Sequence, residues 1–314
     1  MSLEIMKFKI FTDSSAGLTK EIIDTYDIGV VALSFIKDGE LYNSEIIGSE
    51  KYYKDFYEML RNKDNLSTAC ANEQSYIDAF EPHLKNGRDL LYIGFSSALS
   101  ASYNCAKMAI ETLRQKYKER KIYEVDSLLA SFGQGLLVYK SALLAEEGND
   151  IESVYNFTKD VKKNINSLFT VKTLSYLARG GRISKMSSAI GTVVDIKPLM
   201  YVSCEGKLLA YGKVIGRKRS IMSIAEKVSK TIIDGEKQTV FISHGDCIDD
   251  AKLLAKLIEQ KAGVKNFNFN YIDPVIAVHS GPDTLAVFYQ GLEREESIKF
   301  VAENAKTETA TQEN

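Results

Sequence analysis

Four times along this chain an apolar run with strand character ends in small hydroxylated or acidic residues where a helix is due to begin. The runs are Phe8 to Ser15, Leu90 to Ser97, Ile122 to Ser127 and Val240 to Asp246. Strand followed by helix, repeated in this way, predicts β-α units, a largely parallel sheet and helices on both of its faces. In an open sheet of that kind the carboxyl ends of the strands line one crevice. Hydroxyls and free helix-start N–H groups at those ends make a cradle for an anion, whether a carboxylate or a phosphate. The pattern points to a chain built to hold a negatively charged head group. It points much less clearly to one that cuts or oxidises anything.

Between those runs the punctuation is regular. Thr19 is placed to cap a helix from Leu18 to Tyr26, and Val30 to Ile36 reads as one strand closed by the Asp38-Gly39 turn signal. Tyr52, Phe56, Met59 and Leu60 recur at helical spacing, and Asn72 with Glu73 opens a helix that buries Ile77, Phe80 and Leu84. A helix with Tyr103, Ala106, Ile110 and Leu113 on its buried face follows the strand at Leu90, and another runs from Leu128 to Glu146. In the latter, Gly133 and Gly135 read as sites of close packing. Near residue 165 the style changes. Ser167 to Val171 is a strand, a hairpin surrounds Glu205-Gly206, and the last strand is expected over Val275 to His279, closed by Ser280-Gly281-Pro282. The fold class is therefore α/β in two domains. Residues 1–165 form an N-terminal parallel-sheet α/β/α domain, residues 166–297 a C-terminal mixed-sheet α/β domain, and residues 298–314 a frayed tail.

Bulk properties narrow the class. The chain has 314 residues, 45% hydrophobic and 26% charged, enough for a large core. A net charge of -2 without a dense Lys/Arg stripe argues against a nucleic-acid partner. The 4 cysteines are scattered without a CxxC pair, which excludes a zinc knuckle and fits reduced thiols in the cytoplasm. No apolar run reaches the ~18 residues of a membrane span, and no signal-peptide pattern opens the chain. No phosphate loop, nucleophile elbow, HExxH or GxGxxG follows the first strand. Neither a metal nor a cofactor is expected.

The candidate binding residues each have a plainer reading beside them. Thr68 and the pair Ser96-Ser97 follow apolar runs and precede helices, where hydroxyls commonly cap. Their recurrence at successive strand ends favours a ligand. His279 and His244 are both placed at strand ends, where a histidine can donate to a carboxylate or simply be a satisfied structural residue. His83 sits in a polar helix end and reads as solvated. Arg179-Gly180-Gly181-Arg182 and Arg217-Lys218-Arg219 supply guanidinium groups suited to carboxylates or phosphates, or to a solvated surface.

Taken together, the blocks Thr12-Asp13-Ser14-Ser15, Ser67-Thr68-Ala69, Ser96 to Ser100, Val125-Asp126-Ser127, Tyr176 to Ser184, Ile196-Lys197-Pro198, Arg217-Lys218-Arg219 and His279 to Pro282 carry a resemblance. In that order and spacing, over residues 8–297, the chain resembles the DegV family of bacterial fatty-acid-binding proteins. The resemblance implies a non-catalytic two-domain protein that holds one long-chain fatty acid in an interdomain slot. It implies that Thr68, Ser96 or Ser97, and His279 contact the carboxylate. It further implies a role as the lipid-presenting subunit of a fatty acid kinase in phospholipid synthesis. A separate ATP-binding subunit then makes the acyl phosphate, with Arg182 and Arg217 serving docking or phosphoryl handling. Asp283, where the family often has glycine, adds a negative charge near the expected head group. Two other readings remain beside this one: a small-substrate enzyme of the dihydroxyacetone-kinase type, and a lipid-binding sensor with no kinase partner.

Overall fold

The computed structural model describes residues 8–183 and 195–299. Ser184 of the arginine-glycine loop, the first residues of the chain and most of the expected tail, from residue 300 on, lie outside them. The first sheet is fully parallel, in the order β2 (Gly29–Val31), β1 (Phe8–Asp13), β6 (Asp89–Gly94), β7 (Ile122–Asp126). Its connections are α1 (Lys20–Thr25), α2 (Glu50–Arg61), α3 (Glu73–Lys85) and α4 (Ser102–Lys116). Between β2 and β6 the chain builds a small antiparallel sheet, β4 (Glu40–Asn43), β3 (Ser34–Lys37), β5 (Leu66–Ala69). The single strand expected from Val30 to Ile36 is thus two. The break falls at Ala32-Leu33, where Leu33 N donates 3.1 Å to Ser14 Oγ and leaves the parallel ladder.

After β7 come α5 (Phe132–Glu146) and α6 (Ile151–Val161), then β8 (Ile165–Thr170) and the short α7 (Ser175–Arg179). The remaining elements are β9 (Ile196–Val202), β10 (Leu208–Ile215), α8 (Arg217–Thr231), β11 (Thr239–His244), α9 (Ile248–Ala262), β12 (Asn266–Tyr271), α10 (Pro274–Ser280) and β13 (Leu285–Gln290). They form a mixed six-stranded sheet in the order β10-β9-β8-β13-β11-β12.

Helix α5 is the layer both large sheets share. Its buried residues face every direction, as expected of a helix enclosed on all sides. Phe132, Leu136, Leu137 and Val138 join one core with Ile10 and Ile93 of the first sheet and Phe241 and Phe288 of the second. Each side chain fully buried there is worth roughly 1.5–3 kcal/mol. The close packing expected at its glycines is present. A β-carbon on Gly133 would lie 2.6 Å from Ser167 Oγ, and one on Gly135 would lie 2.5 Å from the Ala16 carbonyl.

One element contradicts the sequence reading outright. Val275 to His279 is helix α10, not a strand. Asp273 caps it, accepting from Val275 N at 2.8 Å, and Pro274 occupies the first turn, where its fixed φ suits a helix start. The β-branched run suggested a strand, but the cap and the proline decide the conformation. The helix packs back against the small sheet and α2, burying Ala277 and Val278 with Phe35, Phe56 and Tyr57.

Candidate functional site

The four strand ends spend most of their hydroxyls inside the fold. Thr12 Oγ1 donates to the Ile93 carbonyl at 2.8 Å, and Ser15 Oγ donates to Gln134 Oε1 at 2.9 Å and to Asp13. Asp13 is fully enclosed, accepting from Tyr92 Oη at 3.0 Å and Phe95 N at 3.2 Å. Burial holds its pKa above the ordinary carboxylate value despite those bonds. This network fixes the loop after β6 rather than greeting a ligand. A buried hydroxyl must find a partner, and the neighbouring loops supply one first.

Beyond that network lies a cleft with about 750 Å³ of empty space, open solvent at its mouth included. Its wall draws on the mixed sheet, the small sheet, α10 and the loops that follow β6 and β7. Phe95, Leu99, Phe169, Leu177, Val275 and Phe288 are among its apolar lining, and the polar lining includes Thr68, Ser100, Arg182 and His279. A mostly apolar concave space with a few polar groups is the form ligand sites usually take.

Thr68 and His279, 211 residues apart, meet there, with Oγ1 and Nε2 at 2.9 Å. Strand β5 presents the threonine and the last turn of α10 the histidine. Capping of α3 falls to Asn72, whose Oδ1 accepts from Ser75 N at 2.9 Å, so the Thr68 hydroxyl is not consumed as a cap. His279 Nδ1 is buried and has no hydrogen-bond partner among the described residues. Gly180 backs the ring so closely that a β-carbon there would sit 2.1 Å from Nδ1. Burial, reinforced by the Arg182 and Arg179 guanidinium groups, pushes the His279 pKa down to about 4, leaving the ring neutral near pH 7. With the proton on Nε2 the ring donates to Thr68, whose own hydroxyl is then free to donate to an anionic oxygen.

Arg182 extends from the arginine-glycine loop into the cavity wall. Its Nε donates 3.2 Å to the Leu99 carbonyl, its Nη1 donates to the Gly180 carbonyl, and no carboxylate pairs with it among the described residues. Arg217 is placed elsewhere. Its Nε donates to Asp250 at 2.8 Å, and it does not line the cavity. Ser96 is fully buried and donates 3.0 Å to the Gly206 carbonyl, pinning the β9-β10 hairpin, and Ser97 is exposed with its N–H on Asp126. Neither serine lines the cavity, whereas Ser100, which the sequence reading passed over, does.

His244 ends β11 as expected but packs on Tyr271 and accepts from Cys247 N at 3.4 Å, outside the cavity lining. His83 is not simply solvated, since its ring lies edge-on to Phe11 at 5.2 Å. Asp283 is occupied by Lys172 at 2.8 Å and Arg61 at 3.5 Å, which offsets the charge it brings near α10. All four cysteines are free. Among the described residues no cluster of three or more His, Cys, Asp or Glu side chains could hold a metal, and no helix is long and apolar enough to cross a membrane.

Comparison with known proteins decides the lineage. The model of the DegV family, a family of uncharacterised proteins, matches residues 7–291. The chain belongs to the DegV family. A DegV domain-containing protein of Clostridium perfringens is 41% identical over 285 residues, which is 91% of this chain and 98% of the relative. Among solved structures, a DegV lipid-binding protein of Thermotoga maritima superposes with a TM-score of 0.81 at 26% identity, covering 92% of this chain and 100% of that one. A stearic-acid-binding protein of Eubacterium ventriosum superposes at 0.80 and 25% identity, covering 90% of this chain and 98% of that one. The two-domain α/β architecture is that of DegV structures.

Proposed function

We propose that this DegV protein binds one long-chain fatty acid in the cavity, tail along the apolar wall and carboxylate at Thr68 and His279. The observation that carries the reading is the paired Thr68 hydroxyl and neutral His279 imidazole, with Arg182 nearby, in the wall of an otherwise largely apolar space. Burying the tail is worth ~0.8 kcal/mol per methylene, so the wall supplies most of the affinity. The carboxylate must not be buried unpaired, and the hydroxyl, the imidazole and the guanidinium answer that cost. Its arrival raises the His279 pKa, because a negative charge favours the protonated ring. Ser100 joins the head-group set, and Ser96 supports it from behind by holding the hairpin. The lipid-binding neighbours from Thermotoga and Eubacterium favour the same ligand class.

The chain itself turns nothing over. It presents the carboxylate to a separate ATP-binding kinase subunit in the cytoplasm. A carboxylate oxygen then attacks the terminal phosphorus of ATP, the bond to the bridging oxygen breaks, and acyl phosphate and ADP leave. Arg182 is the nearer candidate for steadying that exchange, and Arg217 serves docking. The apolar lining counts against a small hydroxylated substrate. The purified chain with ATP and fatty acid is expected to consume no ATP, and addition of the kinase subunit is expected to yield acyl phosphate. Fatty-acid-dependent ATP consumption by the chain alone contradicts the non-catalytic reading. Fatty-acid binding without any response from the kinase subunit leaves a lipid-binding sensor.

A further inference from the structure

A second polar spot lies in the cavity wall, away from the Thr68–His279 pair. Ser167 on β8 is 2% exposed, lines the cavity, and its hydroxyl has no hydrogen-bond partner among the described residues. The close approach of Gly133 sets that hydroxyl against the first turn of α5. Helix α5 has 15 residues and no side-chain cap. Its positive end therefore enters the same stretch of wall. Ser131, at the helix start, also lines the cavity, with its Oγ 3.2 Å from Ser243 Oγ. Its backbone lies at φ 53 and ψ -146, close to a region that glycine alone adopts freely. Glycine would hold that turn without strain, and what serine adds is a hydroxyl at the cavity wall within reach of Ser243.

The spot is well separated from the head group. Ser167 pairs across the sheet with Phe288, four residues beyond Thr284, which bonds the end of α10 through the Ser280 carbonyl. At ~3.3 Å per strand residue that is roughly 13 Å along the chain. A plain alkyl chain passing Ser167 offers it no partner. An orphaned buried hydroxyl is costly, and an oxygen reaching that depth supplies the missing partner.

We infer that the acyl chain this cavity selects carries a second oxygen function, a hydroxyl or keto group partway along its length, received by Ser167, Ser131 and the start of α5. The inference rests on the fatty-acid reading above and narrows its ligand to oxygenated long-chain acids. A hydroxyl accepts from Ser167 and donates to Ser131, whereas a keto oxygen accepts from Ser167 and from the helix start.

The test is competition binding on the delipidated full chain, using stearic acid against a series of hydroxystearic acids with the hydroxyl moved along the chain. One isomer is expected to bind about three- to ten-fold tighter than stearic acid, the value of one net hydrogen bond. Ser167→Ala is expected to erase that ratio, and thermal unfolding of the ligand-free variant checks that it still folds. The keto counterpart of the favoured isomer is expected to keep part of the preference. A ratio near one at every position overturns the inference, as does a preference untouched by Ser167→Ala. Tight stearate binding with no preference sinks only this inference. Failure of every acid to bind sinks the fatty-acid reading with it.

Discussion

At Gly180 the absence of a β-carbon is what lets the His279 ring sit where it does, since the hypothetical atom would lie 2.1 Å from Nδ1. The glycine's own φ of -75 is ordinary, so Gly180→Ala strains no backbone and acts only by displacing the ring. It is expected to weaken fatty-acid binding as His279→Ala does. A hydrogen bond to a charged acceptor is worth ~1.5–3 kcal/mol, which sets the loss at roughly ten-fold or more for either variant, read by titration with a fluorescent fatty acid. His83→Ala is the control. It removes the contact with Phe11 and lowers the melting temperature while leaving affinity unchanged. Unchanged affinity in both His279→Ala and Gly180→Ala places the carboxylate elsewhere. The motifs that carry the family resemblance named Thr68 and His279 together, and the fold brings them to 2.9 Å. Ser100 and Gly180 were not legible, because nothing local distinguishes a serine that lines a cavity, or a glycine that backs a ring, from one that faces another loop.

Helix α10 depends on Asp273, which is buried and accepts from Ser44 Oγ at 2.7 Å as well as from Val275 N. Burial pushes its pKa up to about 7, with Asp13 adding repulsion against the hydrogen bonds that oppose the shift. An acid with a raised folded-state pKa binds more protons folded than unfolded between about 4 and 7. The stability it contributes is therefore fully present below its unfolded value and is lost as pH rises through the folded one. The buried histidines slope the other way over part of that window, since His279 and His244 are both pushed down to about 4. Asp273→Asn keeps a capping oxygen and removes the titration. The difference between wild type and variant is expected to shrink wild-type stability by roughly 1 kcal/mol per pH unit from pH 5 to 7, measured by urea unfolding. Parallel pH profiles contradict the assignment. The same element shows where sequence reading fails. Asp273-Pro274 is a helix-start signal that was present in the chain, but Val275 to Val278 outweighed it with β-branched residues whose burial comes from α2 and the small sheet. Likewise β3 leaves the parallel sheet for a partner, β5, that is about thirty residues away, a pairing no local pattern announces.

On the scale of the molecule, the alternation of strand and helix was enough to announce the parallel sheet, and the hairpin at Gly206 enough to announce the mixed one. What pattern alone does not convey is that α5 joins them into one core and that the mixed sheet, α10 and the loops after β6 and β7 leave a cavity between. A ligand filling that space completes apolar contacts from the mixed sheet, α10 and the loops beyond the first sheet. By binding the folded state alone it stabilises that state more as its concentration rises above Kd. Delipidated protein is expected to unfold at a lower temperature than the protein as purified, and added fatty acid to restore the difference. The most direct measurement is solvent extraction of the protein purified from cells, with mass spectrometry of the extract and quantitation against the chain. Close to one long-chain fatty acid per chain is the expected result. Protein that is consistently empty, and that fails to take up fatty acids added afterwards, contradicts the account.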